Sequence, residues 1–274
     1  MELNGRSPIS ENLPVRRRLG GLDVGFSIDQ FSDVLKVRDP AGKPYVLIGG
    51  QAVNYWAERY LEREPELLNL RPFTSADIDF QGTEDDVRHI ADQLALTAGY
   101  PAKVAMTALA GIIPLQIGGE PTNIEVVRHV PGVAAKLDDF VIDAKWGDKN
   151  IRVLNPISLL ASKLELVATV PQDRRNDVLH LRILVPCVRA FLETVLEQVE
   201  QQAIPARDWL GLANQALKLT TDHRATKIGK KQDINWQDIL PLKAINQSQN
   251  EKLKTFRVQQ LAQGYMKNQK NLKC

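Results

Sequence analysis

The sequence predicts an α+β fold, with a mixed β-sheet domain flanked by helices and then a helical C-terminal domain. Before residue 155, apolar runs of about five residues are separated by glycine or proline, a pattern typical of strands and turns. From Pro156 onward the apolar residues recur at helical spacing. We therefore predict an N-terminal arm at 1–26, a sheet-containing domain at 27–155, and a helical domain with a basic C-terminal region at 156–274.

The elements of both domains follow from apolar periodicity and turn residues. A charged insertion, at roughly 61–71, separates the second helix from the strand around Ile78. The other predicted strands are 45–48, 104–106, 112–117, 123–127, 140–145 and 151–153. The predicted helices are a short one from Ser27 to about Lys36, 51–63, 85–98, one starting at Pro156, 176–202 with a bend at Pro186, 209–219 and 251–266.

Composition places the chain among ordinary globular proteins. It has 274 residues, of which 43% are hydrophobic and 25% charged, so disorder is not expected. No run of about 18 apolar residues and no signal-peptide pattern occurs, so we expect no membrane partner and a cytoplasmic location. The two cysteines and four histidines are scattered, which argues against a zinc site.

The charges are distributed unevenly along the chain. Residues 203–274 contain 13 Lys and Arg against 5 Asp and Glu, whereas the remaining residues have a balance of −6. A basic region that follows an acidic one suits a protein that meets a polyanion. The alternative is a set of solvated helix faces rich in lysine.

Two aspartates lie two residues apart in a strand-like run. Because side chains alternate along a strand, Asp77 and Asp79 would project from the same face. Two neighbouring carboxylates repel unless a cation lies between them, and Mg²⁺ prefers oxygen ligands. The pair therefore predicts a Mg²⁺ site, with Mn²⁺ as a substitute metal. The alternative is a solvated face of an antiparallel strand.

A glycine pair joins the strand 45–48 to the helix that follows it. Gly49 and Gly50 would allow phosphate oxygens to approach the main chain at a helix N-terminus. Such a turn is also common as a simple connection between a strand and a helix that binds no ligand. Together with the paired aspartates, it predicts the two halves of a phosphoryl- or nucleotidyl-transfer site.

These motifs resemble the signature of the polymerase-beta-like nucleotidyltransferase superfamily. The resemblance rests on Ile48-Gly49-Gly50-Gln51-Ala52 followed by Asp77-Ile78-Asp79-Phe80, and it is nearest in character to abortive-infection AbiE-type toxins. It implies a third acid from a later strand, for which Glu125 is the candidate. It also implies that Lys163 binds the triphosphate, with Arg174 and Asp177 as further nucleotide-binding residues.

The chain departs from that signature in two ways. Gly50 stands where many relatives have serine, and 26 residues separate Gly50 from Asp77, about twice the usual gap. Phosphate binding would then depend on backbone amides and on Lys163. The insertion would have to be accommodated beside the site.

The expected function is transfer of NMP from an NTP to an acceptor hydroxyl by a Mg²⁺-dependent nucleotidyltransferase. The expected acceptor is RNA, such as tRNA, or a protein, and the resemblance to toxins suggests an antitoxin partner. One alternative is a catalytically inactive protein of the same fold that binds nucleic acid or a partner protein. Another is a small-molecule adenylyltransferase of the antibiotic-resistance type.

Overall fold

The structure, a computed structural model, describes residues 25–102, 104–134, 136–173 and 175–256. The predicted arm at 1–26, apart from its last two residues, lies outside this range. So do Arg174 and the end of the helix predicted at 251–266. The described residues form a six-stranded mixed sheet and a set of helices, which confirms the predicted combination of a mixed sheet with helices.

The sheet has the strand order β3-β4-β2-β1-β6-β5. Strand β1 pairs antiparallel with β2 and parallel with β6, and β2 pairs parallel with β4. The remaining two pairs, β3 with β4 and β5 with β6, are antiparallel. The strands span Val46–Ile48 (β1), Ile78–Gln81 (β2), Leu109–Ile117 (β3), Glu120–Val127 (β4), Val141–Trp146 (β5) and Lys149–Leu154 (β6).

Alternation on the central strands decides which side chains enter the core. Ile78 and Phe80 of β2 are buried, as are Ile124 and Val126 of β4, while the residues between them are half-buried. In the short strand β1 every residue is buried. One face of β2 and β4 is therefore apolar, and the other carries the polar side chains.

The described residues contain eight α-helices. Helix α2 is fixed at its start by a capping box between Thr83 and Asp86. In the described part of the chain, no helix combines the length and apolar character that crossing a membrane requires. The helices span Gly49–Tyr60 (α1), Glu84–Leu94 (α2), Pro156–Thr169 (α3), Asp177–Glu200 (α4), Ala206–Thr221 (α5), His223–Gln232 (α6), Leu242–Gln247 (α7) and Glu251–Phe256 (α8).

The described residues fall into two compact units. The first contains residues up to Glu58 together with 72–162, and the second contains 59–71 and the residues from Lys163 onward. The division between Ser162 and Lys163 therefore falls within helix α3. The sequence predicted a boundary at residue 155, just before this helix. The predicted insertion belongs to the second unit.

Arg189 of α4 attaches the insertion within the second unit. Its Nε donates to Glu64 Oε1 at 2.9 Å, Nη2 donates to carboxylate oxygens of Glu64 and Glu66, and Nη1 donates to the carbonyl of Asp238 at 2.7 Å. Two carboxylates and a carbonyl thus share one half-buried guanidinium, and charge-assisted bonds of this kind are stronger than neutral ones. The insertion is therefore held by specific contacts.

Three local predictions were wrong. The segment 104–106 is not a strand, and the side chains of Val104 and Met106 are exposed. The helix predicted from Ser27 consists of two 3₁₀ turns, Ile28–Phe31 and Val34–Lys36. Helices α6 and α7 were not predicted, because α6 has few apolar residues and α7 is only six residues long.

Candidate functional site

Gly49 lies at the point where β1 ends and α1 begins, and two properties of its surroundings require glycine. Its φ is +65°, which is the left-handed region that side chains disfavour. A Cβ at this position would also lie 1.9 Å from Oδ2 of Asp79 and 2.5 Å from Cγ. The absence of a side chain therefore allows the Asp79 carboxylate to lie against the main chain at the start of α1.

The sheet register places Asp79 beside Glu125. Asp79 of β2 is opposite Ile48 on one side and Glu125 of β4 on the other, where the two strands run parallel. Residues in register on neighbouring strands project from the same face, and the strands are about 4.8 Å apart. Both acids are half-buried, whereas Ile78 and Ile124 on the opposite face are fully buried. Two carboxylates thus share one face of the sheet.

The position of this pair favours association with positive charge. The start of α1 carries the partial positive charge of a helix N-terminus, and its first turn contains no acidic residue. Two neighbouring carboxylates also attract a cation that lies between them. A divalent cation with oxygen ligands, or a phosphate bound through such a cation, is the group that this chemistry accommodates.

Asp77 is placed differently from the sequence prediction. Strand β2 begins at Ile78, so Asp77 lies in a bend before the strand, and strand alternation does not relate it to Asp79. Its Oδ1 accepts a hydrogen bond from Ser75 Oγ at 3.4 Å. Among the described residues, no group of three or more His, Cys, Asp or Glu side chains is arranged to hold a metal ion. The sheet register relates Asp79 directly to Glu125, and the metal-binding role of Asp77 stays a prediction.

Gly50 is buried in the first turn of α1, and two buried polar side chains follow it. Gln51 Nε2 donates to the carbonyl of Phe26 at 2.9 Å, and Asn54 Nδ2 donates to Gln51 Oε1 at 3.1 Å. The Oδ1 atom of Asn54 is buried without a hydrogen-bond partner. The sequence analysis did not single out these two residues. Polar side chains at the start of a helix that follows a buried strand could have indicated them.

In the second unit, Lys163 and Asp177 form a buried ion pair. Lys163 Nζ lies 2.8 Å from Asp177 Oδ1, and the two side chains are only 6% and 3% exposed. Arg175 Nε donates to the other oxygen, Oδ2, at 2.5 Å. Burial alone would raise the pKa of Asp177, but the charges and hydrogen bonds of Lys163 and Arg175 outweigh it and lower that pKa. Asp177 is thus an ionised partner of two cations.

This geometry changes the interpretation of Asp177. The sequence predicted a nucleotide-binding residue, whereas both carboxylate oxygens are bonded within the protein. These contacts relate Asp177 to Lys163 and Arg175, and its nucleotide-binding role stays a prediction. Arg174, predicted as a further nucleotide-binding residue, lies outside the described residues.

His180, one turn further along α4, was not predicted as a residue of interest. Its side chain is buried, and neither ring nitrogen has a hydrogen-bond partner. Burial, assisted by the charge of Lys163, lowers the pKa of His180 to about 3. The imidazole is therefore neutral at physiological pH, next to the ion pair of Lys163 and Asp177.

Comparisons with known proteins do not identify the chain: no family model matches it, and no curated protein is detectably similar to it. We therefore infer its function from the residues of the site.

Proposed function

We propose that this protein is a Mg²⁺-dependent nucleotidyltransferase that transfers NMP from an NTP to the hydroxyl of an acceptor. One observation carries the proposal: Gly49, at a strand-to-helix turn with a positive φ, leaves room for the Asp79 carboxylate, whose neighbour in the sheet is Glu125. A helix N-terminus beside paired carboxylates offers separate places for phosphate oxygens and for the cation that accompanies them.

The residues at hand fit a magnesium ion. Mg²⁺ is usually bound by one or two carboxylates together with substrate phosphates and water, and seldom by a complete cage of protein ligands. Asp79 and Glu125 would hold it, and Asp77 remains a predicted further ligand. When bound, the metal would neutralise the charge that develops on the phosphates. Mn²⁺, which accepts the same oxygen ligands, is the expected substitute.

The proposed step is a displacement at the α-phosphorus of the NTP. A bond forms between the acceptor oxygen and the α-phosphorus, and the bond to the oxygen that bridges to the β-phosphate breaks. Pyrophosphate leaves with that electron pair, and Glu125 accepts the proton of the acceptor hydroxyl as general base. The backbone amides of Gly49 and Gly50 would orient the triphosphate, so catalysis consists mainly of positioning and charge stabilisation.

Lys163 is a separate part of the proposal. We assign it to the negative charge of the triphosphate, with Asp177 holding its ammonium group in place. Support comes from the second unit alone, where Asp177 holds the ammonium group of the buried Lys163 at 2.8 Å. Its contribution has to be measured independently of Asp79, because it depends on a different set of contacts.

The decisive experiment measures label transfer from α-labelled NTPs to total RNA and to protein in the presence of Mg²⁺. Asp79→Asn and Glu125→Gln keep the shape of each side chain and remove its charge, so both are expected to reduce transfer at least about 100-fold. Asp92→Asn makes the same charge change at an exposed site on α2 and should retain activity. Transfer that persists in Asp79→Asn would refute the mechanism.

A second candidate is a catalytically inactive protein of this fold that binds nucleic acid or a protein partner. It is favoured by the lack, among the described residues, of a group of three potential metal ligands. The same assay separates the two candidates. NTP or RNA binding without transfer at any Mg²⁺ or Mn²⁺ concentration would establish the binding protein.

A further inference from the structure

Helix α6 presents five basic side chains on one face. Successive helix residues are about 100° apart, so these positions fall within an arc of about 120°. All five are exposed, whereas Ala225, Ile228 and Gly229 are buried. The residues of this face, called the α6 basic face below, are His223, Arg224, Lys227, Lys230 and Lys231.

The back of α6 is held firmly within the second unit. The indole Nε1 of Trp236 donates to the carbonyl of Ala225 at 2.8 Å, and a Cβ on Gly229 would lie 2.4 Å from that same nitrogen. At the end of the helix, Arg182 Nη2 donates to the carbonyl of Gln232 at 2.9 Å. Small residues thus allow the tryptophan to pack closely, which fixes the direction in which the basic face points.

Among the described residues, few acids lie along the α6 basic face. The helix contains no acidic residue, and Asp222 and Asp233 lie at its two caps. Arg224 pairs with Glu165 of α3 at 3.0 Å and approaches Asp222 at 3.6 Å. Within the described residues, Lys227 and Lys231 form no ion pair. The face therefore keeps an excess of positive charge on solvent-exposed side chains.

Helix stability does not explain this arrangement. Lys230 and Lys231 lie in the last turn, where cations interact favourably with the helix dipole. Arg224 lies in the first turn, where the same dipole disfavours a cation, and Lys227 lies mid-helix. A run selected only for helix stability would place acids in the first turn. The arrangement is better explained by a ligand that spans the whole helix.

We propose that the α6 basic face binds the phosphate backbone of a nucleic acid. A ten-residue helix is about 15 Å long, which matches about four phosphates of one strand at roughly 3.4 Å per phosphate. The inference extends the proposed function, on which it rests for its link to catalysis, by giving the acceptor a docking surface. The occupant is RNA, the acceptor expected for the proposed function, and a DNA of the same sequence tests this choice.

The test measures binding by the full chain, without NTP, of a labelled RNA hairpin and a DNA hairpin of the same sequence. Affinity is measured from about 50 to 200 mM salt. Four neutralised phosphates predict a slope of log affinity against log salt of about −3.6. The double variant K227Q/K231Q removes two contacts and should make that slope less steep by about 2. K227R/K231R keeps the charges and should retain the slope.

The control variant K43Q/K145Q makes the same change in net charge at two exposed lysines of the first unit. It should leave the slope unchanged. An equal loss in the control, or an unchanged slope in K227Q/K231Q, would overturn the proposal. Tighter binding of RNA than of DNA supports RNA as the ligand, and equal or tighter binding of DNA would overturn that assignment.

The two proposals fail in different ways. If the slope changes only in K227Q/K231Q and the wild type shows no label transfer, the binding role of the α6 basic face is supported and the transferase proposal is refuted. If K227Q/K231Q changes neither the transfer to RNA nor the slope, the binding role of the α6 basic face is refuted and the transferase proposal is supported. Circular dichroism of each variant verifies that the substitutions at these exposed positions leave the fold intact.

Discussion

The first unit contains two like charges side by side, whereas the second contains opposite charges that satisfy each other. Asp79 and Glu125 are half-buried neighbours on a sheet face, and Lys163 and Asp177 are almost completely buried and hydrogen-bonded at 2.8 Å. Two carboxylates on one face of a sheet repel each other, whereas the two members of a buried ion pair attract each other. We therefore expect ligand-dependent properties from the acid pair and intrinsic stability from the ion pair.

The largest effect should come from breaking the buried ion pair. Asp177→Asn leaves Lys163 and Arg175 without their carboxylate, and removal of one partner of a buried pair costs about 3–5 kcal/mol. Urea unfolding should show this loss in the free energy of unfolding.

A double variant sharpens the interpretation of that loss. Lys163→Met combined with Asp177→Leu removes both charges of the pair, so it should recover much of the stability lost in Asp177→Asn. If Asp177→Asn is as stable as the wild type, the pair is not the structural element described above, and Asp177 is free to have the predicted nucleotide-binding role.

The next effect concerns the contact between Gly49 and Asp79. Gly49→Ala should destabilise the protein by about 1–2 kcal/mol through its positive φ, and by a further 1–3 kcal/mol or so through the overlap with the carboxylate. Gly147→Ala is the matched control, because its φ is +57° and no atom lies within 4 Å of a Cβ there. Equal unfolding free energies for the two variants would show that Asp79 does not occupy the space beside Gly49.

A pH titration tests the surroundings of the ion pair. The pKa of His180 is lowered to about 3 in the folded protein, so between about pH 6.5 and 3 the unfolded chain binds more protons than the folded one. Stability should therefore fall as the pH falls, by at most about 1.4 kcal/mol per pH unit and by about 2.5 kcal/mol from pH 6 to pH 4.

His180→Gln removes the titrating group and is the control for that experiment. It should abolish most of the slope between pH 6 and 4, because the lowered pKa of Asp177 affects stability only below the ordinary carboxyl range. An identical slope in His180→Gln would assign the acid sensitivity to other groups.

The contrast between the two pairs also marks what the sequence could predict. The strands that contain the buried Ile78 and Ile124 were predicted from apolar residues in strand-like runs bounded by glycine or proline. Burial of one face of a strand produces this apolar pattern directly. The register that pairs Asp79 with Glu125 could not be derived, since it is set by contacts between distant segments. The sequence also placed Asp77 within the strand, whereas the strand begins one residue later.

The ion pair shows a different limit. Lys163 and Asp177 were both singled out, but single-sequence reasoning gave each a nucleotide ligand and did not relate them to each other. Burial relates the two residues to each other, because a lysine and an aspartate removed from solvent require partners. His180 was missed for the same reason, since nothing in the local sequence indicates a buried imidazole without hydrogen bonds.

The smallest expected effect is the most informative about the acid pair. If Asp79 and Glu125 hold Mg²⁺ in the folded state only, the metal should stabilise the wild type by about 1.4 kcal/mol at ten times its Kd. Asp79→Asn should lose this gain, and the exposed Asp92→Asn should retain it. Thermal unfolding with Mg²⁺, compared with Na⁺ at equal ionic strength, separates site binding from general screening. A wild type that responds equally to both salts would place the two acids among ordinary surface carboxylates, and the difference between the two units would then be one of burial alone.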